Sequence, residues 1–205
     1  RNGNWHFPRA TDVLVYDKLD GTNIVAYAYA HRGRRFVTYK TRLTPIVRNS
    51  GRFGPFRDML NEVLPKYRET IENIVRTRGW NLSFELYGAR NKHLMLYTIP
   101  LDLCLLFRIN QMTGEIMPPL PSPDDAILPR PLCYPFPPGG NYVETYQWHQ
   151  KEDEQRLAKT ELGYEGSEGR VWYMKLETGK WIMAKCKPES IEAIHWAAGL
   201  SKNVI

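Results

Sequence analysis

No apolar run in this 205-residue chain approaches the ~20 residues that a membrane-spanning helix needs. A helical membrane protein is therefore not expected. Nothing near the start has the basic, apolar and small-residue order of a signal peptide. The chain opens at Arg1 rather than Met, so residues before it are expected to have been removed. Cysteine is scarce: Cys104, Cys133 and Cys186 are odd in number and lack pairwise metal spacing. That speaks against a disulfide framework or a paired-cysteine zinc site, and for inert reduced thiols in an intracellular compartment, cytoplasmic or nuclear. His6, His31, His93, His149 and His195 show no metal-site spacing either and receive no role. There is no internal repeat. The length suits a single domain over residues 1–205, expected to be monomeric.

What is present is ordinary in bulk, with 42% apolar and 24% charged residues. The formal net charge is +6 and the pI about 9.2, which favours a polyanionic partner such as nucleic acid or nucleotide phosphates. The charge is dispersed. Its one tight cluster, Arg32-Gly33-Arg34-Arg35, suits a solvated turn equally well.

Val13 to Tyr16 is a short apolar run ending at Asp17-Lys18. Asn23–Ala30 and Arg35–Leu43 read as strands joined at Arg32-Gly33-Arg34. Apolar residues then recur at helical spacing from Phe56 to Val75, interrupted at Pro65 and stopped by Gly79. Trp80–Tyr87 alternates, with Glu85 on its polar face, and Leu101–Ile109 reads as a buried central strand. Nine of the fifteen prolines fall between Pro118 and Pro138 and predict a loop over 117–140 without regular structure. A charged helix over Tyr142–Leu162 follows, then a hairpin of Gly169–Glu177 and Lys180–Lys187 turning at Thr178-Gly179. A last helix opens at Pro188-Glu189 and stops at Gly199. The mixed order implies an α+β class built on antiparallel sheets with flanking helices.

Lys18-Leu19-Asp20-Gly21-Thr22-Asn23 has the form of a plain turn, since Asp-Gly is a common turn pair. It also has the form of a nucleophile. An exposed lysine of pKa ~10.4 is neutral about one time in 2,500 at pH 7, so a reactive amine needs desolvation or nearby cations. Alternation in the last hairpin puts Lys185 and Lys187 on one strand face with Trp181 and Met183. A pair of cations there suits phosphate binding. Glu85 and Glu168 are carboxylates of the kind that accept ribose hydroxyls or hold a hard divalent cation.

Together these residues resemble the covalent nucleotidyltransferase superfamily of ATP-dependent DNA and RNA ligases and mRNA capping enzymes. Its pattern is Lys-x-Asp-Gly, a strand glutamate, Glu-Gly-x-Val and a closing Lys-x-Lys. Here these are Lys18-Leu19-Asp20-Gly21, Phe84-Glu85-Leu86-Tyr87-Gly88, Glu168-Gly169-Arg170-Val171 and Lys185-Cys186-Lys187. The resemblance implies the nucleotidyltransferase (ATP-grasp-like ligase) fold and an ATP-dependent enzyme carrying a covalent AMP on Lys18. It implies Mg²⁺ or Mn²⁺ as cofactor, and transfer of AMP to a 5′-phosphate end before attack by a 3′-hydroxyl. Catalytic positions would be Lys18, Glu85, Glu168, Lys185 and Lys187. Glu85 would take the ribose, Glu168 the metal, and Lys185 and Lys187 the α-phosphate. Asp20, Gly21, Asn23, Arg42 (or Lys40) and Phe107 would complete nucleotide binding. Arg42, Lys40 and Phe36 share a strand face, and Phe107 is the candidate for stacking on the base.

Asn23 stands where DNA ligases and capping enzymes usually have arginine, and Gly-Thr-Asn resembles RNA ligases. RNA with 5′-phosphate and 3′-hydroxyl ends is therefore the expected partner. The alternatives are a DNA ligase, a capping guanylyltransferase, or an inactive nucleic-acid-binding module of the same fold. Eighteen residues follow Lys187, too few for the C-terminal oligonucleotide-binding domain of DNA ligases and capping enzymes. An excised catalytic domain, or a branch without that module, is expected.

Overall fold

Runs rich in valine, isoleucine and aromatic residues fit a pleated, half-buried surface, and they set the strands of the computed structural model. It describes residues 7–42, 44–49, 55–91, 93–137 and 139–200. Leu43 and Pro138, the far ends of two expected segments, lie outside the described residues, as does His6. Strand β1 (Ala10–Asp17) contains the expected apolar run, with Val15 and Tyr16 buried. The chain divides into two compact units, Asp20–Pro131 and a second made of residues up to 19 and from 132 onward.

In the Asp20–Pro131 unit, β2 (Thr22–His31) and β3 (Arg34–Thr41) form a hairpin. Arg32 and Gly33 close it at φ 48° and 73°, the turn whose twist matches that of paired strands. Helices α1 (Phe56–Val63) and α2 (Arg68–Thr77) flank a 3-10 turn at Leu64–Lys66. Pro65 sits in that turn, where its missing N–H breaks the helical ladder. Strands β4 (Trp80–Tyr87), β5 (Asp102–Asn110) and β6 (Ile116–Met117) complete an antiparallel sheet of order β3-β2-β4-β5-β6. The central strand is thus β4, not the Leu101–Ile109 run. That run is apolar because Leu103, Cys104 and Leu105 are buried on both sheet faces.

One face of this sheet presents Ile24, Ala26, Leu82, Phe84, Leu86, Leu103 and Leu105 to Met59, Leu60, Ile71, Ile74 and Val75 of the helices. Each of the larger of these side chains, Ala26 apart, contributes about 1.5–3 kcal/mol when fully buried. The opposite face is left for polar groups. A bulge at Leu106 lets Ser83 pair with Phe107 while Phe84 pairs with Leu105, which turns Phe107 onto that polar face.

The proline-rich stretch is more ordered than expected. Pro123 opens a 3-10 turn (Pro123–Asp125) capped by Ser122, because proline fits a first helical position. Further on, β7 (Cys133–Tyr134) pairs with β1.

The second unit continues with α3 (Tyr142–Arg156), capped by Asn141. This helix is shorter than expected, because Thr160 and Gly163 form a tight turn between β8 (Ala158–Lys159) and β9 (Tyr164–Glu165). Strands β10 (Arg170–Leu176) and β11 (Trp181–Cys186) turn at Gly179 as expected. The antiparallel sheet runs β11-β10-β1-β7 around Val15, Trp172, Met174 and Cys186. Helix α4 (Glu189–Leu200) runs through Gly199 rather than stopping there. The class is α+β with antiparallel sheets. Cys104 and Cys186 are buried, Cys133 is exposed, and all three are free thiols. Among the described residues, no helix is long and apolar enough to cross a membrane.

Candidate active site

Lys18 leaves the end of β1 beside the start of β10, where Asp17 pairs with Arg170. Its N–H donates to the Gly169 carbonyl at 2.8 Å, and the Asp17 N–H donates to the Leu132 carbonyl at 2.9 Å. The main chain is thereby held on both sides. The Lys18 Nζ forms an ion pair with Glu168 Oε2. Lys187 Nζ lies 2.8 Å from Glu168 Oε1, and His195 Nε2 lies 3.2 Å from that same oxygen. Side-chain exposures are 16% for Lys18, 2% for Glu168, 15% for Lys187 and 48% for His195. A nearly buried carboxylate thus gathers three basic groups.

Burial alone would push the Glu168 carboxyl up. The ammonium groups of Lys18 and Lys187 outweigh it and hold the carboxyl below its ordinary value. Gly169 permits the arrangement: at φ +125°, a Cβ there would overlap the Cys186 carbonyl oxygen. Arg170 anchors the next residue, buried against Asp153 and Glu152, with its guanidinium 4.6 Å from the Tyr134 ring. Lys185 stands exposed on β11, and its carbonyl accepts from the Tyr146 hydroxyl at 2.8 Å.

In the Asp20–Pro131 unit, Asp20 Oδ2 accepts from the amides of Leu94 at 2.6 Å and Met95 at 2.7 Å. Its own N–H donates to the Tyr97 hydroxyl at 2.7 Å. The Asp20 carboxylate therefore ties the turn to the 93–97 segment. At Gly21 a Cβ would overlap the Leu86 carbonyl oxygen, so glycine is required for the close approach to β4. Asn23 Nδ2 donates to Ser83 Oγ at 2.9 Å and to the Phe84 carbonyl at 3.0 Å. Asn23 pairs in register with Glu85, and Ser83 with Phe107. Asn23, Glu85 and Phe107 therefore lie together on the polar sheet face, with Glu85 8% exposed. Arg42, just past β3, lines a cavity of about 470 Å³ on this face together with Lys40.

Sequence reasoning missed His195, which has no telling spacing, and the Asp20 partners, which are main-chain amides. Arg170 left a readable signal: it shares its strand face with the buried Trp172 and Met174, where a charge needs a partner.

No family model and no curated protein sequence matches the chain. Solved structures do. The RNA ligase of Naegleria gruberi with pyrophosphate matches over 90% of this chain and 52% of its own, at TM-score 0.55 and 12% identity. A variant of that ligase with AMP and manganese matches over 88% and 51%, at TM-score 0.55 and 13% identity. A variant with ATP and manganese matches over 88% and 51%, at TM-score 0.53 and 12% identity. In fold, this chain resembles an RNA ligase. Those ligases belong to the covalent nucleotidyltransferase superfamily. The chain spans about half their length.

Proposed function

We propose that this chain is the nucleotidyltransferase part of an ATP-dependent RNA ligase, with Lys18 as the nucleophile. The observation that carries this reading is the Lys18–Glu168–Lys187 cluster at the end of β1. A lysine fixed there, with a second cation at hand to take phosphate charge, has what an amine needs to be placed against a triphosphate. The neutral Lys18 amine attacks the α-phosphorus of ATP. A P–N bond forms, the bond to pyrophosphate breaks, and the amine proton passes to solvent. AMP is then transferred to a 5′-phosphate of RNA, and a 3′-hydroxyl displaces it to join the strand.

Lys187 and Lys185 contact the α-phosphate in this reading. Asn23, Glu85, Phe107 and Arg42, with the turn of Asp20 and Gly21, serve the nucleotide. Glu85 accepts from the ribose and Phe107 stacks on the base. Among the described residues no cluster of three or more side chains could form a metal cage. A single buried carboxylate instead fits the habit of Mg²⁺, which is bound by one or two carboxylates plus substrate phosphates. Glu168 would hold such an ion, which screens charge on the triphosphate.

The test is incubation with labelled ATP and Mg²⁺ or Mn²⁺, followed by peptide mapping. A covalent adenylate on Lys18 is expected, absent in Lys18→Ala. Label with GTP alone would point to a capping guanylyltransferase, and no label on any lysine would leave a binding module.

A further inference from the structure

The polar face of the β2–β3 hairpin carries a continuous set of aromatic and basic side chains. In register, Val25 pairs with Lys40, Tyr27 with Thr38, Tyr29 with Phe36 and His31 with Arg34. All of these share the face of Asn23. Tyr29 and Phe36 stack at 5.5 Å with an interplanar angle of 23°, and Tyr29 is 46% exposed. Arg34 lies over the Phe36 ring, 5.5 Å from its centroid. Beside this pair is the 470 Å³ cavity, walled by Val25, Tyr27 and Ile109 and edged by Lys40, Arg42 and Asn81. Asn81 Oδ1 is buried there without a hydrogen-bond partner. A buried amide oxygen left unpaired is costly, so it marks a position for a donor. Among the described residues, Arg34, Lys40 and Arg42 have no carboxylate partner.

We propose that this face holds consecutive unpaired nucleotides of the RNA strand being joined. One base enters the cavity against Tyr27 and Asn81, and the next stacks on the Tyr29–Phe36 pair. Arg34 and Lys40 neutralise the phosphates between them. Charge complementarity selects a polyanion, and exposed rings select bases that are free of a duplex. Reach separates the track from the ATP position. Tyr29 stands six residues along β2 from Asn23, about 20 Å at ~3.3 Å per residue, beyond a nucleotide seated at Asn23 and Glu85. The proposal rests on the reading of the chain as an RNA-joining enzyme.

The test is fluorescence anisotropy with a labelled, 5′-phosphorylated oligoadenylate and with the same strand in a duplex. Covalent labelling by ATP is measured in parallel. The double variant Tyr29→Ala/Phe36→Ala should bind the single strand at least about ten-fold more weakly, and Tyr27→Ala, which removes a ring from the cavity wall without filling it, should weaken it as well. Both should keep wild-type circular dichroism and ATP labelling. Arg34→Ala should reduce the salt dependence of binding by about one phosphate contact. Unchanged affinity in both of the first two variants overturns the proposal, as does wild type that prefers the duplex or ignores the strand. Variants that bind the strand normally but lose ATP labelling would give the cavity to ATP instead. If wild type takes no label yet binds through this face, the ligase reading fails while the track stands.

Discussion

The side chain of Lys18 is ion-paired to Glu168, a carboxylate 150 residues further along the chain and 2% exposed. The candidate nucleophile is thus tethered to the very group proposed to serve the metal. Two consequences are separable, one for stability and one for the amine.

Replacing Glu168 with Gln leaves Lys18 and Lys187 facing each other without their shared anion. Breaking a buried pair in this way should cost about 3 kcal/mol in a denaturant melt at neutral pH. The folded-state carboxyl is depressed from its ordinary value of 4.5. Its contribution is therefore complete above pH 4.5 and is lost as pH falls through the lower folded value. Wild type and Glu168→Gln should converge in stability in acid. Glu168 is also the residue proposed to hold the divalent ion, so adenylylation of Lys18 should slow by at least about ten-fold while the fold is kept. Labelling at the wild-type rate would separate Glu168 from the chemistry at Lys18.

His149 offers a second pH test, remote from the chemistry proposed. Its Nδ1 accepts from Trp172 Nε1 at 3.2 Å in the core of its unit. Burial first, then the Arg170 charge, lowers its pKa to about 4 from 6.5. A depressed histidine contributes stability above the unfolded value, and that stability is lost as pH falls from 6.5 through about 4. The loss should approach ~3 kcal/mol. His149→Gln keeps an acceptor for Trp172 and cannot titrate, so its melting temperature should fall less over that interval. Parallel curves for the two proteins would refute the assignment.

Local features were legible in the sequence because their causes are local. Arg32-Gly33 and Thr178-Gly179 encode their turns, Pro65 its helix break, and alternation the face carrying Asn23 and Glu85. The proline-rich stretch reads as a plain loop because proline forbids its own hydrogen-bond donation. Cys133 and Tyr134 keep theirs, however, and pair with β1. The gathering of Lys18, Glu168 and Lys187 follows from a resemblance. That of His195 does not, since a contact from a helix 27 residues after Glu168 leaves no periodic trace. The anchoring of Asp20 by the Leu94 and Met95 amides was equally invisible, because main-chain donors carry no residue identity.

Gly169→Ala should be damaging out of proportion to one methyl group. The backbone there is left-handed, and the added carbon would overlap the Cys186 carbonyl between β10 and β11. Relief requires the strands to part where Glu168 meets Lys187. A loss of about 3 kcal/mol or more is expected, together with slower adenylylation. If Gly169→Ala left both stability and labelling unchanged, the close approach of these strands would be wrong.

Asp125 should matter to folding and not to chemistry. It is 1% exposed and takes ion pairs from Arg108 and Arg130. Those arginines also donate to the carbonyls of Leu120 and Pro119, each at 2.9 Å. The proline-rich segment is therefore fastened to β5 through one carboxylate. Asp125→Ala strands two arginines at low exposure, which should cost about 3–5 kcal/mol. Limited proteolysis should then cut between Pro118 and Pro131 at temperatures where wild type resists. Adenylylation below the variant's melting temperature should stay near the wild-type rate, because Asp125 has no part in the proposed nucleotide site. A variant that melts normally would show that the prolines hold this segment without it.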